Sequence, residues 1–362
     1  LHVRSRRQRQ MCIRDSSKID IEEIIAPYVN LRRRGRTYTG LCPFHNEKTP
    51  SFTVYPETQS FYCFGCGAGG DAITFVRRMD NLDYMEAVKS LADRAGLALP
   101  QDGYDDTLMK QRRRMLEANR EAARYFHETL FTPEGAAALS YLQGRGLNAK
   151  IIRHFGLGCA PNRWDGLLRH MRQKGYSEAE LVNANLARRS DKNGRTSCYD
   201  NFRNRMMIPI IDLRGNVIAF GGRVLDDAKP KYVNTSDTLV YKKSQAIFAL
   251  NFAKSANQGK LILAEGYMDV IAYHQAGFTN AVACLGTALT REQARLLARY
   301  ADEVILSYDA DGAGQEATRR AIGIFNEIGM KLRVLRLSGG KDPDEILRQY
   351  GPVSYTHLTL PT

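Results

Sequence analysis

"KLILAEGYMDVIAYHQAGFTNAVACLGTALT" spans residues 260–290 and alternates between two kinds of segment. "KLILA" and "TNAVACL" have the length and apolar content of buried strands, and "YMDVIAYHQA" between them predicts a helix that ends at Gly277. The segments "DEVILSY", "AGQEATRRAIGIFNEIG" and "KLRVLRL" continue the alternation as strand, helix and strand. Strands that alternate with helices in this way predict a parallel sheet with right-handed crossovers.

Polar residues, most of them acidic, follow each of the four predicted strands. In chain order they are Glu265 and Asp269, Gly286 and Thr287, Asp309 and Asp311, and Asp342 and Asp344. The carboxyl ends of parallel strands meet at one edge of the sheet, where such sheets bind ligands. Carboxylates that converge there repel one another, and divalent cations such as Mg²⁺ relieve the repulsion. The pattern therefore predicts metal-dependent phosphoryl or nucleotidyl chemistry, although each motif alone is also typical of a surface residue, a turn or a helix N-cap.

A second metal site is predicted nearer the start of the chain, in "CPFHNEKTPSFTVYPETQSFYCFGC" (42–66). Cys42 and His45 are separated by two residues, Cys63 and Cys66 likewise, and 17 residues lie between the pairs. Four soft ligands of this spacing predict a closed, structural zinc site. The alternation of aromatic and polar residues indicates the paired strands of a zinc ribbon. The alternative is four unrelated buried residues.

The surroundings of this ribbon are basic and aromatic, and its cations are Arg32, Arg33, Arg34, Arg36 and Lys48. Cations for phosphates and rings for bases favour a surface for single-stranded nucleic acid. A solvated charged face with its aromatic residues in the core is the other interpretation. Two helices within 71–95 are expected to pack on the ribbon, followed by a linker at 97–106.

The middle of the chain predicts helices near 106–130 and 134–143, followed by Arg145 between two glycines in a turn. "RMMIPIIDLRGNVIAFGGRVL" (205–225) predicts a hairpin whose second strand is interrupted at "FGGR". Glycines beside a basic residue permit close approach to phosphate, and they equally permit a β-bulge.

Composition sets limits on the class of protein. The net charge is +13, from 52 Lys and Arg against 39 Asp and Glu, which favours a polyanionic partner or a solvated basic surface. Residues 1–16 and 353–362 fit neither neighbouring segment and are interpreted as a non-native leader and tail, with a transit peptide as the alternative for the leader. Without that leader, which carries five Arg and one Asp, the surplus is +9. No membrane span or signal peptide is evident, and three of the seven cysteines are clustered, which indicates metal binding in a reducing cytoplasm.

Several motifs resemble those of bacterial replicative DNA primases, the DnaG family. "GLCPFHNEKTPSFTV" and "YCFGCGAGGDAITFV" resemble its zinc-binding domain, and "EGYMDVIA", "CLGTALT", "YDADGAG" and "KDPDE" resemble its Toprim core. "YLQGRGL", "FRNRMMIPI", "FGGRVL" and "PKYVN" resemble the basic subdomain between them. The resemblance covers residues 17–352 in the expected order.

The resemblance implies an enzyme that synthesises short RNA primers on a single-stranded DNA template for chromosome replication. It implies one structural Zn²⁺, catalytic Mg²⁺ or Mn²⁺, ribonucleoside triphosphates as substrates, and a location at the replication fork in the bacterial cytoplasm. Glu265 matches the catalytic glutamate, Asp309, Asp311 and Asp342 the metal-binding aspartates, and Asp269 and Asp344 line the same site. The implied nucleotide- and DNA-binding residues are Arg145, Arg203, Lys231, Tyr232, Lys243, Gly286 and Thr287.

Two departures from the family pattern are visible. Asn201 stands where the family commonly has a basic residue, so one basic contact is expected to be missing. The family also continues into a helical subdomain and a domain that docks the replicative helicase, so this chain is interpreted as C-terminally truncated. Helicase binding is therefore not assumed, and single-stranded DNA-binding protein is a further candidate partner.

The predicted fold class is α+β with several domains: a zinc ribbon, a mixed α/β basic subdomain and a Toprim α/β subdomain with a parallel sheet. The boundaries are a ribbon domain at 17–96, a linker at 97–106, the basic subdomain at 107–256 and the Toprim subdomain at 257–352. Two other functions are alternatives to primer synthesis: another Toprim enzyme, such as a nuclease or topoisomerase, and a non-catalytic zinc-ribbon DNA-binding protein.

Overall fold

The computed structural model of this protein describes residues 20–45, 47–80, 82, 84–97, 103–192, 195–256, 259–285, 288–309, 312–335 and 343–350. The chain divides into two units, Leu1–Thr107 and Leu108–Thr362, and each is taken by itself below. None of the helices within these ranges is both long and apolar enough to span a bilayer.

The first unit is built on a five-stranded antiparallel sheet whose strands pair in chain order. Its strands are β1 (Arg32–Arg34), β2 (Thr37–Gly40), β3 (Phe52–Tyr55), β4 (Ser60–Cys63) and β5 (Gly69–Asp71). The described helices of this unit below residue 97 are α1 (Ile21–Ile25), α2 (Ala72–Met79) and α3 (Tyr84–Arg94). The ribbon strands and the two helices after them confirm the predicted architecture.

Side chains along the ribbon strands β3 and β4 alternate between buried and more exposed positions, and the buried ones form the core of this unit. Phe52 and Phe61 point inward with stacked rings 5.2 Å apart, and Phe75 of α2 meets Phe61 edge-on at 5.5 Å. Tyr62 and Phe64 face outward, and their exposed fractions are 42% and 69%. The aromatic residues of the ribbon thus divide between core and surface, because successive side chains of a strand point to opposite faces.

The long helix α4 (Gly103–Leu130) belongs to the second unit from Leu108 onward, and a mixed region follows it. Its next helices are α5 (Ala136–Gly144), α6 (Ala149–His154), α7 (Gly166–Gln173) and α8 (Glu178–Asn183). A four-stranded sheet in the order β11-β10-β9-β6 and a two-stranded β7-β8 hairpin accompany them. These strands are β6 (Gly158–Ala160), β7 (Ala187–Lys192), β8 (Arg195–Asp200), β9 (Arg205–Ile211), β10 (Val217–Val224) and β11 (Tyr232–Asn234).

The last part of the chain forms a five-stranded sheet in the order β12-β14-β13-β15-β16. Its strands are β12 (Ile247–Phe248), β13 (Lys260–Ala264), β14 (Ala281–Cys284), β15 (Glu303–Ser307) and β16 (Lys331–Val334). The helices are α9 (Leu250–Ala253), α10 (Tyr267–Gln275), α11 (Arg291–Leu297), α12 (Gly312–Glu327) and α13 (Pro343–Tyr350). The four predicted strands pair in parallel, as expected, and β12 adds an antiparallel edge that the sequence did not reveal.

Two details differ from the sequence-based expectations. β10 runs without interruption through Gly221 and Gly222, and its one register irregularity lies between Val217 and Ala219, so the predicted interruption and bulge at "FGGR" are wrong. A Cβ on Gly221 would lie 2.6 Å from the ring of Tyr267, so the glycine lets the strand pack directly on that ring. The predicted linker also ends early, because α4 begins at Gly103.

A single hydrophobic cluster joins the basic region to the parallel sheet. Leu142 and Ile208 from before residue 257 pack in it with Ala264, Tyr273 and Ile346 from after that point. The two regions therefore share a core within one unit, and the subdomain boundary at 256 stays a prediction.

This core contains a histidine that should make the stability of the second unit depend on pH. His274 is buried, its Nε2 contacts the carbonyl oxygen of Ala281 at 2.9 Å, and its Nδ1 has no hydrogen-bond partner among the described residues. Burial is the main reason that the pKa of His274 is lowered to about 4; the contact with the Ala281 carbonyl opposes this lowering, and the nearby His154 adds to it. In the unfolded chain this imidazole becomes protonated below about pH 6.5, whereas in the folded chain it stays neutral down to about pH 4.

We expect the free energy of unfolding to fall by about 2 kcal/mol between roughly pH 7 and pH 5 through this group. Denaturant unfolding at several pH values, followed by the fluorescence of Trp164, measures the slope. His274→Gln should flatten it, and an unchanged slope in that variant would contradict the prediction.

Candidate functional site

The two knuckles of the ribbon bring Cys42, His45, Cys63 and Cys66 together, as the spacing predicts. Their ligand atoms all lie within 4.8 Å of one another. The Sγ atoms of Cys42 and Cys66 are 3.8 Å apart, and the Sγ of Cys63 is 3.7 Å from Nδ1 of His45. Three thiolates and one imidazole at this separation suit a tetrahedral zinc ion with no open position.

The local backbone explains why these residues converge. Cys63 ends β4 opposite Phe52 of β3, and the chain then turns at Gly67, whose φ is +69°. Gly65 lies against the imidazole, since a Cβ there would be 2.6 Å from Nε2 of His45. The backbone amides of Phe44 and Cys66 each point at a cysteine sulfur at 3.4 Å.

The ribbon surface beside this site carries exposed rings and cations. The rings of Tyr62 and Phe64 meet edge-on with centroids 5.1 Å apart, and both are exposed. The cations predicted for this surface, Arg32, Arg33, Arg34, Arg36 and Lys48, are all exposed as well. Each side chain is thus available to a partner.

The second site lies at the carboxyl edge of the parallel sheet. Glu265 directly follows β13, and Asp309 follows the neighbouring strand β15, which pairs with β13 through Ala264 and Ser307. The backbone N–H of Asp309 donates to Oε2 of Glu265 at 3.2 Å. Glu265 is exposed and Asp309 half-buried. These two predicted acidic residues therefore lie together at the expected edge, and carboxylate oxygens are the donors that a divalent cation prefers.

Asp269 and Gly266 shape the start of α10 beside this edge. The carboxylate of Asp269 accepts a hydrogen bond from the N–H of Gly266 at 3.1 Å. Tyr267, the next residue, donates from its hydroxyl to Oδ1 of Asn234 on β11 at 2.9 Å. The helix that follows Glu265 is thereby tied to the basic region.

Asp344 pairs with Arg145 across 199 residues of sequence. The Asp344 side chain is 2% exposed and that of Arg145 is 23% exposed, so the ion pair is largely buried. α13, which carries Asp344, packs on α10. The structure thus joins a predicted site carboxylate to a predicted nucleotide-binding arginine.

Arg223 of β10 is a candidate binding residue that the sequence analysis did not name. Its guanidinium lies over the ring of Tyr141 at 4.3 Å and that of Tyr232 at 5.8 Å. Arg145 also lies over Tyr141, at 5.3 Å. The buried Nε and Nη1 of Arg223 make no hydrogen bond within the described part of the chain. The signal in the sequence was the arginine of "FGGR", which directly follows two glycines.

Electrostatic effects on two tyrosines connect these groups. Burial raises the pKa of Tyr232. The cations of Arg223 and Arg145 lower this pKa and the Asp269 carboxylate raises it, so these three charged groups lie close enough to Tyr232 to affect its protonation. Burial also raises the pKa of Tyr308, with smaller contributions from Cys284 and Glu265. Both phenols are therefore protonated hydrogen-bond donors at neutral pH.

The remaining predicted basic residues occupy separate elements. Lys231 is exposed just before β11. Lys243 donates its backbone N–H to Asp237 at 3.0 Å and accepts from the Gln293 side chain at its carbonyl. Arg203 lies over the rings of Trp164 at 4.8 Å and Tyr199 at 5.0 Å.

Trp164 and Tyr199 form an exposed stack that no sequence motif indicated. Their ring centroids are 4.6 Å apart at an interplanar angle of 24°, and 56% of Trp164 is exposed.

Asn201, the position at which a basic contact was expected to be missing, stabilises the backbone of a turn. Its Nδ2 donates to the carbonyl of Asn185, a residue at φ +58°, so the amide stabilises a left-handed turn.

Four predicted site residues lie outside the described residues, namely Asp311, Asp342, Gly286 and Thr287. Their roles stay predictions.

Gly314 allows α12 to start against the backbone of Asp309. A Cβ at this position would lie 2.2 Å from the carbonyl oxygen of Asp309 and 2.9 Å from its carbonyl carbon. We expect Gly314→Ala to displace Asp309 and to destabilise the second unit by about 1–3 kcal/mol, measured by urea unfolding. Gly323→Ala on the same helix is the matched control, because no described atom lies within 4 Å of its added Cβ. That variant should be neutral or stabilising by up to about 1 kcal/mol; equal losses in both variants would contradict the prediction.

Comparison with known proteins agrees with this arrangement. Residues 9–106 match the CHC2 zinc finger, 125–254 the DNA primase catalytic core N-terminal domain, and 262–347 the Toprim-like family. The crystal structure of the Aquifex aeolicus primase, zinc binding and RNA polymerase domains, is 37% identical with a TM-score of 0.63 and covers 95% of this chain and 83% of that one. The chain belongs to the DnaG primase family.

Other DnaG relatives extend the comparison. A DnaG primase catalytic domain bound to ssDNA is 36% identical with a TM-score of 0.63, over 68% of this chain and 78% of that one. The DNA primase of Clostridium acetobutylicum is 47% identical over 343 residues, which are 94% of this chain and 56% of the relative. The chain thus spans about half the length of the curated DnaG relatives it matches. The CHC2 match and the four converging donors support zinc as the ion of the ribbon.

Proposed function

We propose that this chain is a DNA-directed RNA polymerase that makes short RNA primers on single-stranded DNA. The observation that carries the proposal is the meeting of Glu265 and Asp309 at the ends of adjacent parallel strands, in a chain of the DnaG family. Relatives named DNA primase at 40–47% identity support it.

We infer that Glu265 and Asp309 hold a divalent cation, with Asp311 and Asp342 as further ligands. Carboxylate oxygens favour Mg²⁺ or Mn²⁺ over softer ions. When bound, such an ion supplies charge neutralisation at the reacting phosphate. In this proposal the primer 3′-hydroxyl oxygen bonds to the α-phosphorus of the incoming nucleotide, and the bond from that phosphorus to pyrophosphate breaks. Glu265, the exposed member of the pair, accepts the hydroxyl proton.

The triphosphate would bind to the cations that surround Tyr232. Arg223 supports this role because its guanidinium lies over the rings of Tyr141 and Tyr232, and Arg145 lies over the same Tyr141 ring, so two cations are held close together. The ion pair with the buried Asp344 carboxylate holds the guanidinium of Arg145 in one orientation. Lys231 and Lys243 would add charge at the rim of the site.

The template strand would contact two surfaces, one in each unit. On the ribbon, Tyr62 and Phe64 offer exposed rings at the end of the sheet that carries β4, and β1 offers exposed arginines further across the same sheet. In the second unit, Trp164 and Tyr199 offer a stack with Arg203 above it. Aromatic rings take unpaired bases by stacking, and cations take the phosphates, without regard to base sequence. Through the ribbon, the zinc finger would help to choose where synthesis starts.

The proposed setting is the bacterial replication fork, where a replicative helicase and single-stranded DNA-binding protein expose the template. We propose these two proteins as partners of the longer DnaG primases to which this chain is similar.

One experiment separates the proposal from its rivals. The purified chain is incubated with single-stranded DNA, ribonucleoside triphosphates and Mg²⁺ or Mn²⁺, with a chelator control, and products are resolved by size. New short RNA that the chelator abolishes is the expected result. Cleavage of the DNA without synthesis would favour a Toprim nuclease, and binding without either product would favour a non-catalytic DNA-binding protein.

A further inference from the structure

Glu47 lies against the zinc ligands without being one of them. Its carboxylate is 10% exposed, and Oε1 accepts the backbone N–H groups of Cys42 at 2.7 Å and Ser51 at 3.0 Å. Oε2 lies 3.2 Å from Nε2 of His45 and accepts a hydrogen bond from the hydroxyl of Ser51. One buried carboxylate therefore contacts both residues of the first knuckle.

The orientation of His45 indicates which ring nitrogen is the ligand. Nδ1 faces the thiols, 3.7 Å from Sγ of Cys63, whereas Nε2 faces the carboxylate of Glu47. A neutral imidazole has one protonated and one bare nitrogen. If Nε2–H donates to Glu47, the bare Nδ1 points at the metal position.

Ser51 extends the contact to the second knuckle. Its hydroxyl lies 3.2 Å from Sγ of Cys63 as well as against Glu47. Gly65 covers the group, since a Cβ there would lie 2.6 Å from Nε2 of His45 and 2.9 Å from the hydroxyl oxygen of Ser51. The two side chains that contact Oε2 of Glu47, those of His45 and Ser51, are thus packed against the backbone of the second knuckle at Gly65.

We propose that Glu47 is the positioning residue of the zinc finger, which selects the Nε2–H tautomer of His45 and holds Cys42 and Ser51 in place for the metal. A carboxylate that accepts from a ligating histidine orients the ring and makes it a better donor. The inference concerns the zinc finger alone and stands whether or not the chain synthesises RNA.

The first test compares zinc affinities of the whole chain by competition with a chelator of known affinity. Glu47→Gln keeps the size of the side chain and one acceptor oxygen for the backbone amides, but its amide N–H₂ is only a donor and can accept from neither His45 nor Ser51. We expect zinc binding about 10–100-fold weaker than in the unchanged protein. Glu57→Gln is the control, because Glu57 belongs to the same unit and has a side chain that is 70% exposed on the surface.

The second test needs no variant. In long-range proton–nitrogen NMR spectra of the zinc-loaded protein, the histidine whose signals shift on zinc loading should show a protonated Nε2 and a metal-bound Nδ1. A metal-bound Nε2 would overturn the proposal. So would a Glu47→Gln protein with the zinc affinity of Glu57→Gln. Loss of folding in Glu47→Gln leaves the NMR result to decide.

Discussion

Asp309→Asn should reduce primer synthesis by about a thousand-fold or more, because the carboxylate would hold the cation that neutralises charge at phosphorus. Asn keeps the shape of the side chain and removes one negative charge. The backbone N–H of Asp309, which contacts Glu265 at 3.2 Å, is retained, so the fold of the edge should survive. Extension of a template-bound primer with labelled ribonucleotides measures the loss.

Glu265→Gln should cause a loss of similar size, and the double variant should be little worse than either single one. Residues that act as one unit are not additive, since removing the first already disables the site. Glu316→Gln is the matched control, because Glu316 is an exposed carboxylate on α12 whose ion pairs with Arg319 at 3.9 Å and Arg320 at 3.7 Å are long. Mn²⁺ binding followed by electron paramagnetic resonance should weaken in Asp309→Asn and persist in Glu316→Gln. Full synthesis by Asp309→Asn would refute the assignment of this edge.

Cys63→Ala is expected to release zinc and unfold the first unit while the second unit stays folded. The aromatic core of the ribbon is small, and in modules of this size the metal contributes about 10 kcal/mol or more to folding. The two units are separate clusters of contacts, so loss of one need not disturb the other. Zinc content and limited proteolysis report on the ribbon.

The single tryptophan of the chain allows the stability of the second unit to be measured separately. Trp164 belongs to the second unit, so its fluorescence during denaturant unfolding reports that unit alone. The midpoint should match that of the unchanged protein. Cys198→Ala is the control, because Cys198 lies half-buried on β8 and should leave zinc content unaltered. A common collapse of both units in Cys63→Ala would disprove the modular interpretation.

The zinc ligands and the parallel strands were predictable because their signals are local. A gap of two residues brings Cys63 and Cys66 to one knuckle whatever surrounds them. The centres of these strands, residues 261–264 and 304–306, are apolar throughout, and this marks strands covered on both faces. Chain order then places Glu265 and Asp309 at the same edge, since parallel strands end together.

Contacts between distant segments could not be predicted in the same way. The Arg145–Asp344 pair joins residues 199 apart, and no pattern in either segment names its partner. β12 has only two residues, Ile247 and Phe248, too few for any period to show. The glycines of "FGGR" were interpreted as an approach to phosphate or a β-bulge, and only the packing shows that Gly221 lies against the ring of Tyr267.

The amino-acid sequence alone determined the ligand spacing of the ribbon, the order of strands and helices in the parallel-sheet region, and the family resemblance. The tertiary structure decided which side chains share a site: Arg223 beside Tyr232, Trp164 beside Tyr199 and Glu47 beside His45. The physical reason is that spacing and periodicity depend on neighbours along the chain. A shared site depends instead on how separate elements pack, and that is set by the whole core at once.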